Sequence, residues 1–151
     1  MQGWMSLGRH TIGRARLGSL VLVLGVGFGA TAFAESMVCR MDPGQHDRYI
    51  APETKLAWDQ FGAAMIADAV IAGTGRKSVT GEVVSTNSKK LVATWQVRGV
   101  TPDPLEQRRT DANLVVRLTV ERANGRAVIT INDASSRKYS YRGKGNCRFG
   151  G

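Results

Sequence analysis

The sequence predicts an α+β domain in which a mainly antiparallel, curled sheet or half-barrel of about five or six strands packs against one helix. Apolar and polar residues alternate through most of positions 78–149, which is the period of strands with one buried face. Between positions 58 and 72, apolar residues recur every three or four positions instead, which indicates one amphipathic helix. The only two cysteines, Cys39 and Cys147, stand near the two ends of this region. A bond between them would join the first and last strands.

The first 34 residues have the three parts of a secretory signal peptide. Residues 1–16 carry arginines and no acid, residues 17–30 form an apolar core, and Ala32-Phe33-Ala34 offers small residues around a bulky one. The pattern predicts cleavage after residue 34 and export of a single domain, residues 35–151. No transmembrane segment is expected in the mature protein.

Two other interpretations of the leader are weaker. An uncleaved anchor would use residues 17–34, which are near the lower length limit of a spanning helix and contain four glycines. A lipid anchor on Cys39 would need a small residue before it, whereas Val38 stands there. In the oxidising compartment that export implies, an isolated cysteine pair bridges, so a Cys39–Cys147 disulfide is expected. A redox-active pair would need the closer Cys-x-x-Cys spacing.

The first part of the mature chain is predicted to form one strand and the helix. The strand covers residues 37–41, and the helix starts at Pro52, because proline favours an early helical position. The helix is expected to run to about Ala72, although Gly62 inside it costs about 1 kcal/mol. Its apolar face consists of Trp58, Phe61, Met65, Ala69 and Ala72.

The rest of the mature chain is predicted to be sheet, with strands over residues 78–85, 90–100, 114–120, 127–131 and 138–149. Asn124-Gly125 favours a two-residue type I′ turn, which would pair Val120 with Ile129. In the second of these strands, the inner face is expected to hold Leu91, Ala93, Trp95 and Val97. In the last strand, the residues expected to face the core are Tyr139, Tyr141, Gly143, Gly145, Cys147 and Phe149.

The mature domain is basic. The leader contains three of the 21 lysines and arginines and none of the 12 acids, which leaves 18 against 12 and a charge of +6. Such a charge favours anionic partners, here an envelope polymer such as lipopolysaccharide or a cell-wall polymer, an anionic lipid or an acidic protein. The alternative is that the excess charge serves solubility alone.

A basic stripe on the last strand is the candidate binding surface. Its members are Lys138, Arg142, Lys144 and Arg148, on the face opposite the cysteine. Alternate residues of a strand lie about 6.5–7 Å apart, so the row suits repeating anionic groups. The alternative is a solvated strand whose charges discourage edge pairing. Tyr139 and Tyr141 point away from the cations, which disfavours nucleic acid as the partner.

Catalytic motifs are absent from the sequence. The mature chain has one histidine, His46, both cysteines are expected to be bonded, and there is no phosphate-binding glycine loop or Gly-x-Ser-x-Gly elbow. We therefore expect no metal or cofactor and a non-enzymatic binding protein, periplasmic or secreted. The first alternative is a small envelope hydrolase that uses Asp42, His46 or Asp133. Another is an envelope structural protein without a single ligand.

Two short segments resemble known exported proteins. Residues 121–126 (Glu-Arg-Ala-Asn-Gly-Arg) and 141–147 (Tyr-Arg-Gly-Lys-Gly-Asn-Cys) resemble small exported proteobacterial proteins of unassigned activity, which implies export and a terminal disulfide-bearing strand. Residues 135–139 are similar to the Ser-Gly-x-x-Tyr motif of periplasmic lysozyme inhibitors, which are small β-barrels with a terminal disulfide. Ser135 and Tyr139 match that motif and its glycine does not. A charge of +6 would also repel a cationic enzyme.

Overall fold

The computed structural model describes residues 33–46, 48–102, 110–136 and 139–150, and in this part of the chain eight antiparallel strands close into a barrel. Each strand pairs with the next one along the chain, and the last pairs with the first, which makes an up-and-down barrel. The strands are β1 (Glu35–Asp42), β2 (Glu53–Trp58), β3 (Ala63–Asp68), β4 (Val79–Thr86), β5 (Lys90–Val100), β6 (Ala112–Glu121), β7 (Arg126–Asp133) and β8 (Ser140–Gly150). The predicted half-barrel of five or six strands is wrong, while its antiparallel pairing and the β1–β8 disulfide are confirmed.

The predicted long helix is also wrong, because its sequence forms β2, β3 and a single five-residue helix, α1 (Ala69–Gly73). Leu56, Trp58 and Ile66 are buried at alternate positions of the two strands. Of the five residues assigned to the helical face only Trp58 is buried, and Phe61 is 85% exposed. The spacing of apolar residues in this short stretch fits both a helix and a strand. Burial inside the barrel favours the strand, with its period of two residues.

The turn between β2 and β3 is held by Asp59 and Gly62. One oxygen of the Asp59 carboxylate, Oδ1, accepts hydrogen bonds from the backbone N–H groups of Phe61 (2.8 Å) and Ala63 (2.9 Å). Gly62 has a φ of +88°, a left-handed conformation that side chains other than glycine rarely adopt. The glycine that weakens a helix is therefore the residue that makes this turn.

The hairpin of β6 and β7 forms at the predicted place with a different loop. Val120 pairs with Ala127 instead of Ile129, so residues 122–125 form a four-residue loop. Gly125 has a φ of +70° and donates its N–H to the carbonyl of Glu121 at 2.8 Å. The register shift is two residues, which preserves the face of every side chain.

The barrel interior is filled by side chains, as expected for eight strands. The predicted inner face of β5 is confirmed, and Trp58 and Trp95 are each 3% exposed. The void between Tyr49, Trp95 and Ile131 measures about 10 Å³, which is about the smallest cavity that holds one water molecule. This void is too small for a small-molecule ligand.

The two ends of the barrel are covered by different contacts. At one end, Tyr49 in the β1–β2 connection is buried and stacks on Tyr141 with ring centroids 4.4 Å apart. At the other end, Arg122 donates to the Thr86 hydroxyl at 2.7 Å, pairs with Glu35 at 3.4 Å, and lies 5.0 Å from the Phe149 ring centroid.

The predicted Cys39–Cys147 disulfide is confirmed. The two residues face each other in the β1–β8 pairing, are 108 positions apart in sequence, and are both buried. Disulfides of this kind are typical of proteins outside the reducing cytosol, which agrees with export. Within the described residues, no helix combines the length and the apolar character needed to cross a bilayer.

Asp68 caps α1, and its carboxyl has a raised pKa. Burial raises the pKa of this carboxyl above its ordinary value, against hydrogen bonds from the N–H groups of Ile71 and Val70 and from the Thr54 hydroxyl, which lower it. The Ile71 hydrogen bond is 2.8 Å long. An ionised Asp68 is therefore less favourable in the folded protein than in the unfolded chain, and its contribution to stability falls as pH rises through its folded pKa.

We expect Asp68→Asn to be more stable than the wild type at neutral pH and equal to it in acid. Asparagine keeps the oxygen that accepts from Ile71 and carries no charge to desolvate. Urea unfolding of both proteins between about pH 4 and pH 8 measures the difference, which should shrink as Asp68 becomes protonated. A difference that stays constant across this range would contradict the assignment.

Candidate functional site

The described part of the predicted basic stripe lies on the outer face of β8. Arg142, Lys144 and Arg148 are exposed, while Tyr141, Gly143 and Cys147 at alternate positions are buried. This alternation confirms the predicted faces of the strand. Lys138 lies outside the described residues.

Side chains on the outer face of β5 to β8 surround a groove of about 830 Å³. We call this groove the basic groove. Its basic lining residues come from four strands: Lys90, Arg117, Arg126, Arg142 and Lys144. Two acids, Asp42 and Glu121, also line it. The barrel thus brings two of the four predicted site residues together with three that the sequence reasoning did not select.

The strand register shows which cations in the groove face an acid. Lys144 stands opposite Asp42 on β1, and Lys90 stands opposite Glu121 on β6. Arg117 and Arg142 stand opposite Thr130, whereas Arg126 begins β7 directly across the hairpin loop from Glu121, the last residue of β6. Among the described residues, none of the five basic side chains of the groove forms an ion pair.

Arg117 and Arg142 belong to one row that crosses the strands. Arg117 pairs with Thr130 on β7, and Thr130 pairs with Arg142 on β8. On the other side of Arg117, the partner on β5 is Thr94. The row therefore places two arginines and two threonines on neighbouring strands, and Glu82 on β4 follows beyond Thr94.

Arg148 does not join this groove. It stands opposite Val38 on β1 and lines a neighbouring concavity of about 470 Å³ together with Arg40. Asn146 lies between the two concavities and lines both. The curvature of the barrel thus divides the predicted stripe.

The three residues of the alternative hydrolase site make separate contacts. Asp133 is buried and accepts hydrogen bonds from the Ser135 hydroxyl at 2.8 and 3.0 Å, which fixes the turn after β7. Asp42 accepts from the Gly44 N–H at 3.0 Å, and the His46 ring centroid lies 5.1 Å from that of Tyr141. In the described ranges, no three His, Cys, Asp or Glu side chains are grouped closely enough to hold a metal ion.

Comparison with known proteins assigns no activity to the groove. The chain matches no protein family, no curated protein and no solved structure.

Proposed function

We propose that this protein is a small periplasmic or secreted binding protein that recognises an anionic envelope component or protein through its basic groove, without catalysis. The observation that supports the proposal is the collection of five basic side chains around one concavity with only two acids. Three of the five are arginines, whose planar guanidinium groups donate two parallel hydrogen bonds to phosphate or carboxylate.

The filled interior directs the proposal to the outer surface. Many eight-stranded barrels bind a ligand inside, but the interior void of about 10 Å³ near Trp95 is too small for one. The basic groove, at about 830 Å³, has the size of a small-molecule site and is open to solvent.

The expected partner follows from the compartment that the leader implies. Outside the cytoplasm, the abundant anions are envelope polymers, lipid head groups and acidic proteins, and a mature charge of +6 attracts them over a distance set by the salt concentration. The three arginines then supply short-range contacts, because none forms an ion pair with an acid of the described chain.

A fourfold variant tests the proposal. Replacing Arg117, Arg126, Arg142 and Lys144 with glutamine should weaken binding to anionic envelope extracts or vesicles by roughly 10²–10³-fold, at about 1 kcal/mol per basic residue. All four side chains are exposed, so the fold should remain intact. Binding isotherms at several salt concentrations measure the loss.

A matched control removes the same charge from other surfaces. Glutamine at Lys55, Arg76, Lys77 and Lys89, all exposed and outside the groove, should leave most of the binding in place. Equal losses in the two variants would show that net charge alone attracts the partner. Unchanged binding in the groove variant, with an intact circular dichroism spectrum, would reject the proposal.

A further inference from the structure

The row of Arg117, Thr130 and Arg142 has the geometry of a clamp for a single anionic group. Neighbouring strands are about 4.8 Å apart, so the α-carbons of the two arginines are roughly 9–10 Å apart with Thr130 midway between them. Both arginine side chains are exposed, and both line the groove. Two guanidinium groups can therefore approach one anion from opposite sides, above the Thr130 hydroxyl.

The donors and charges of this row match a phosphate monoester better than a carboxylate. Two guanidinium groups can donate four hydrogen bonds in two parallel pairs, and the threonine hydroxyl adds a fifth. A carboxylate carries one negative charge on two oxygens. A phosphate monoester carries about −1.5 to −2 on three terminal oxygens near neutral pH, which balances the charges of Arg117 and Arg142.

The remaining polar groups of the groove suit a molecule rich in hydroxyls. Asp42 and Glu121 line the same concavity, and each has a carboxylate oxygen that accepts no hydrogen bond from the residues the structure describes. The partner oxygens accept from Gly44 (3.0 Å) and from Asn124 (3.0 Å). Asn146 contributes an amide to the lining as well. Carboxylates repel an anion but accept hydrogen bonds from sugar hydroxyls, so their presence favours a ligand that joins a phosphate to a polyol.

We infer that the ligand class of the basic groove is a phosphorylated saccharide, with its phosphate over Thr130 between Arg117 and Arg142. This inference depends on the proposed function, since it names the chemistry of the same site. The saccharide extends toward Asp42, Glu121 and Asn146, which follow at the same concave face. Asp42 is opposite Lys144, so the saccharide end of the groove remains less positive than the phosphate end.

The first experiment compares small probes that differ in one property. Glucose 6-phosphate, glucose 6-sulfate, glucuronate and inorganic phosphate are titrated into the disulfide-bonded protein, and dissociation constants are taken from amide chemical shifts. Glucose 6-phosphate should bind about tenfold or more tightly than the sulfate, the carboxylate and free phosphate. The largest shifts should occur around Thr130.

Single variants then test which residues bind the phosphate and which bind the saccharide. Arg117→Gln and Arg142→Gln should each remove the preference for phosphate over sulfate. The matched control is Arg148→Gln, on the same strand as Arg142 but lining the neighbouring concavity, and it should leave the preference unchanged. Glu121→Gln should weaken the binding of glucose 6-phosphate more than the binding of inorganic phosphate.

The outcomes separate the inference from the proposed function. Equal affinities for phosphate, sulfate and carboxylate probes, all lost in the fourfold groove variant, would reject phosphorylated saccharide and retain the anion-binding groove. Inorganic phosphate that binds as tightly as glucose 6-phosphate would reject the saccharide half. If no anion binds through the groove, and the fourfold variant retains envelope binding, both proposals are wrong.

A last comparison identifies the source of the saccharide. Vesicles that carry a phosphorylated glucosamine lipid are compared with vesicles of the dephosphorylated lipid and with free glucose 6-phosphate. Binding that needs the phosphorylated lipid supports a membrane-borne head group, and binding of the free sugar phosphate at equal strength supports a soluble ligand. Equal binding to phosphorylated and dephosphorylated vesicles would contradict the phosphate clamp.

Discussion

We expect the double variant Cys39→Ala/Cys147→Ala to lose about 4–5 kcal/mol of its free energy of unfolding. The disulfide closes a loop between residues that are 108 positions apart, and restricting so long a loop removes much of the conformational entropy of the unfolded chain. The bond also joins β1 to β8, the one strand pairing of the barrel that brings the two ends of the domain together. Domains of this size have a net stability of only about 5–15 kcal/mol, so the loss is a large share of the total.

Urea unfolding of the variant and of the wild type measures this effect, and chemical reduction of the wild type provides the control. Reduction breaks the cross-link and keeps both buried side chains, whereas alanine also removes their packing. Reduction of the wild type should therefore cause most of the decrease in the free energy of unfolding that the variant shows. A loss below about 1 kcal/mol in both would show that chain entropy is not what the disulfide contributes.

The predicted disulfide already restricted the position of the last strand relative to the first. A disulfide needs two α-carbons within about 7 Å, so a meander whose first and last strands are bridged has those two strands side by side or face to face. The half-barrel was predicted because β2 and β3 were assigned to a helix, which left too few strands for closure around a filled interior. Strands β5 to β8 were predictable because alternation extends over most of each strand.

Residues 53–68 were not predictable because each apolar run is short. Trp58, Met65 and Ala69 satisfy a helical period, while Leu56, Trp58 and Ile66 satisfy the strand period, and both periods include the same tryptophan. Gly62 was the discriminating residue, since a glycine in the middle of a helix is costly and a glycine in a tight turn is favourable.

The basic groove was predictable only in part for a related reason. Alternation within β8 places Arg142 and Lys144 outward without any knowledge of their neighbours. The contribution of Arg117 and Arg126 depends on the register between strands, which the turn around Asn124 sets through a four-residue loop instead of a two-residue one. Alternation along the sequence shows which face of the sheet a side chain occupies. The length of the loop determines which residue of the next strand lies beside it.

We expect Gly145→Ala to destabilise the protein by about 3 kcal/mol, near the upper end of the usual cost of overpacking. A methyl group at this position on β8 would overlap the carbonyl oxygen of Arg40 and lie 2.8 Å from the Sδ of Met41, both on β1. Backbone atoms of a paired strand cannot move aside as a flexible side chain can, so the two strands would have to separate. The close approach of β1 and β8 therefore depends on the missing side chain.

Gly73→Ala is the matched control, because it adds the same carbon at the end of α1, where nothing lies within 4 Å of the new atom. It should leave stability unchanged or raise it by about 0.4–1 kcal/mol, since alanine restricts the unfolded chain. Urea unfolding with the disulfide intact compares the two variants. A Gly145→Ala protein as stable as Gly73→Ala would mean that the strands joined by the disulfide are not packed as closely as described. In that case the stabilisation at this pairing would come from the covalent bond alone.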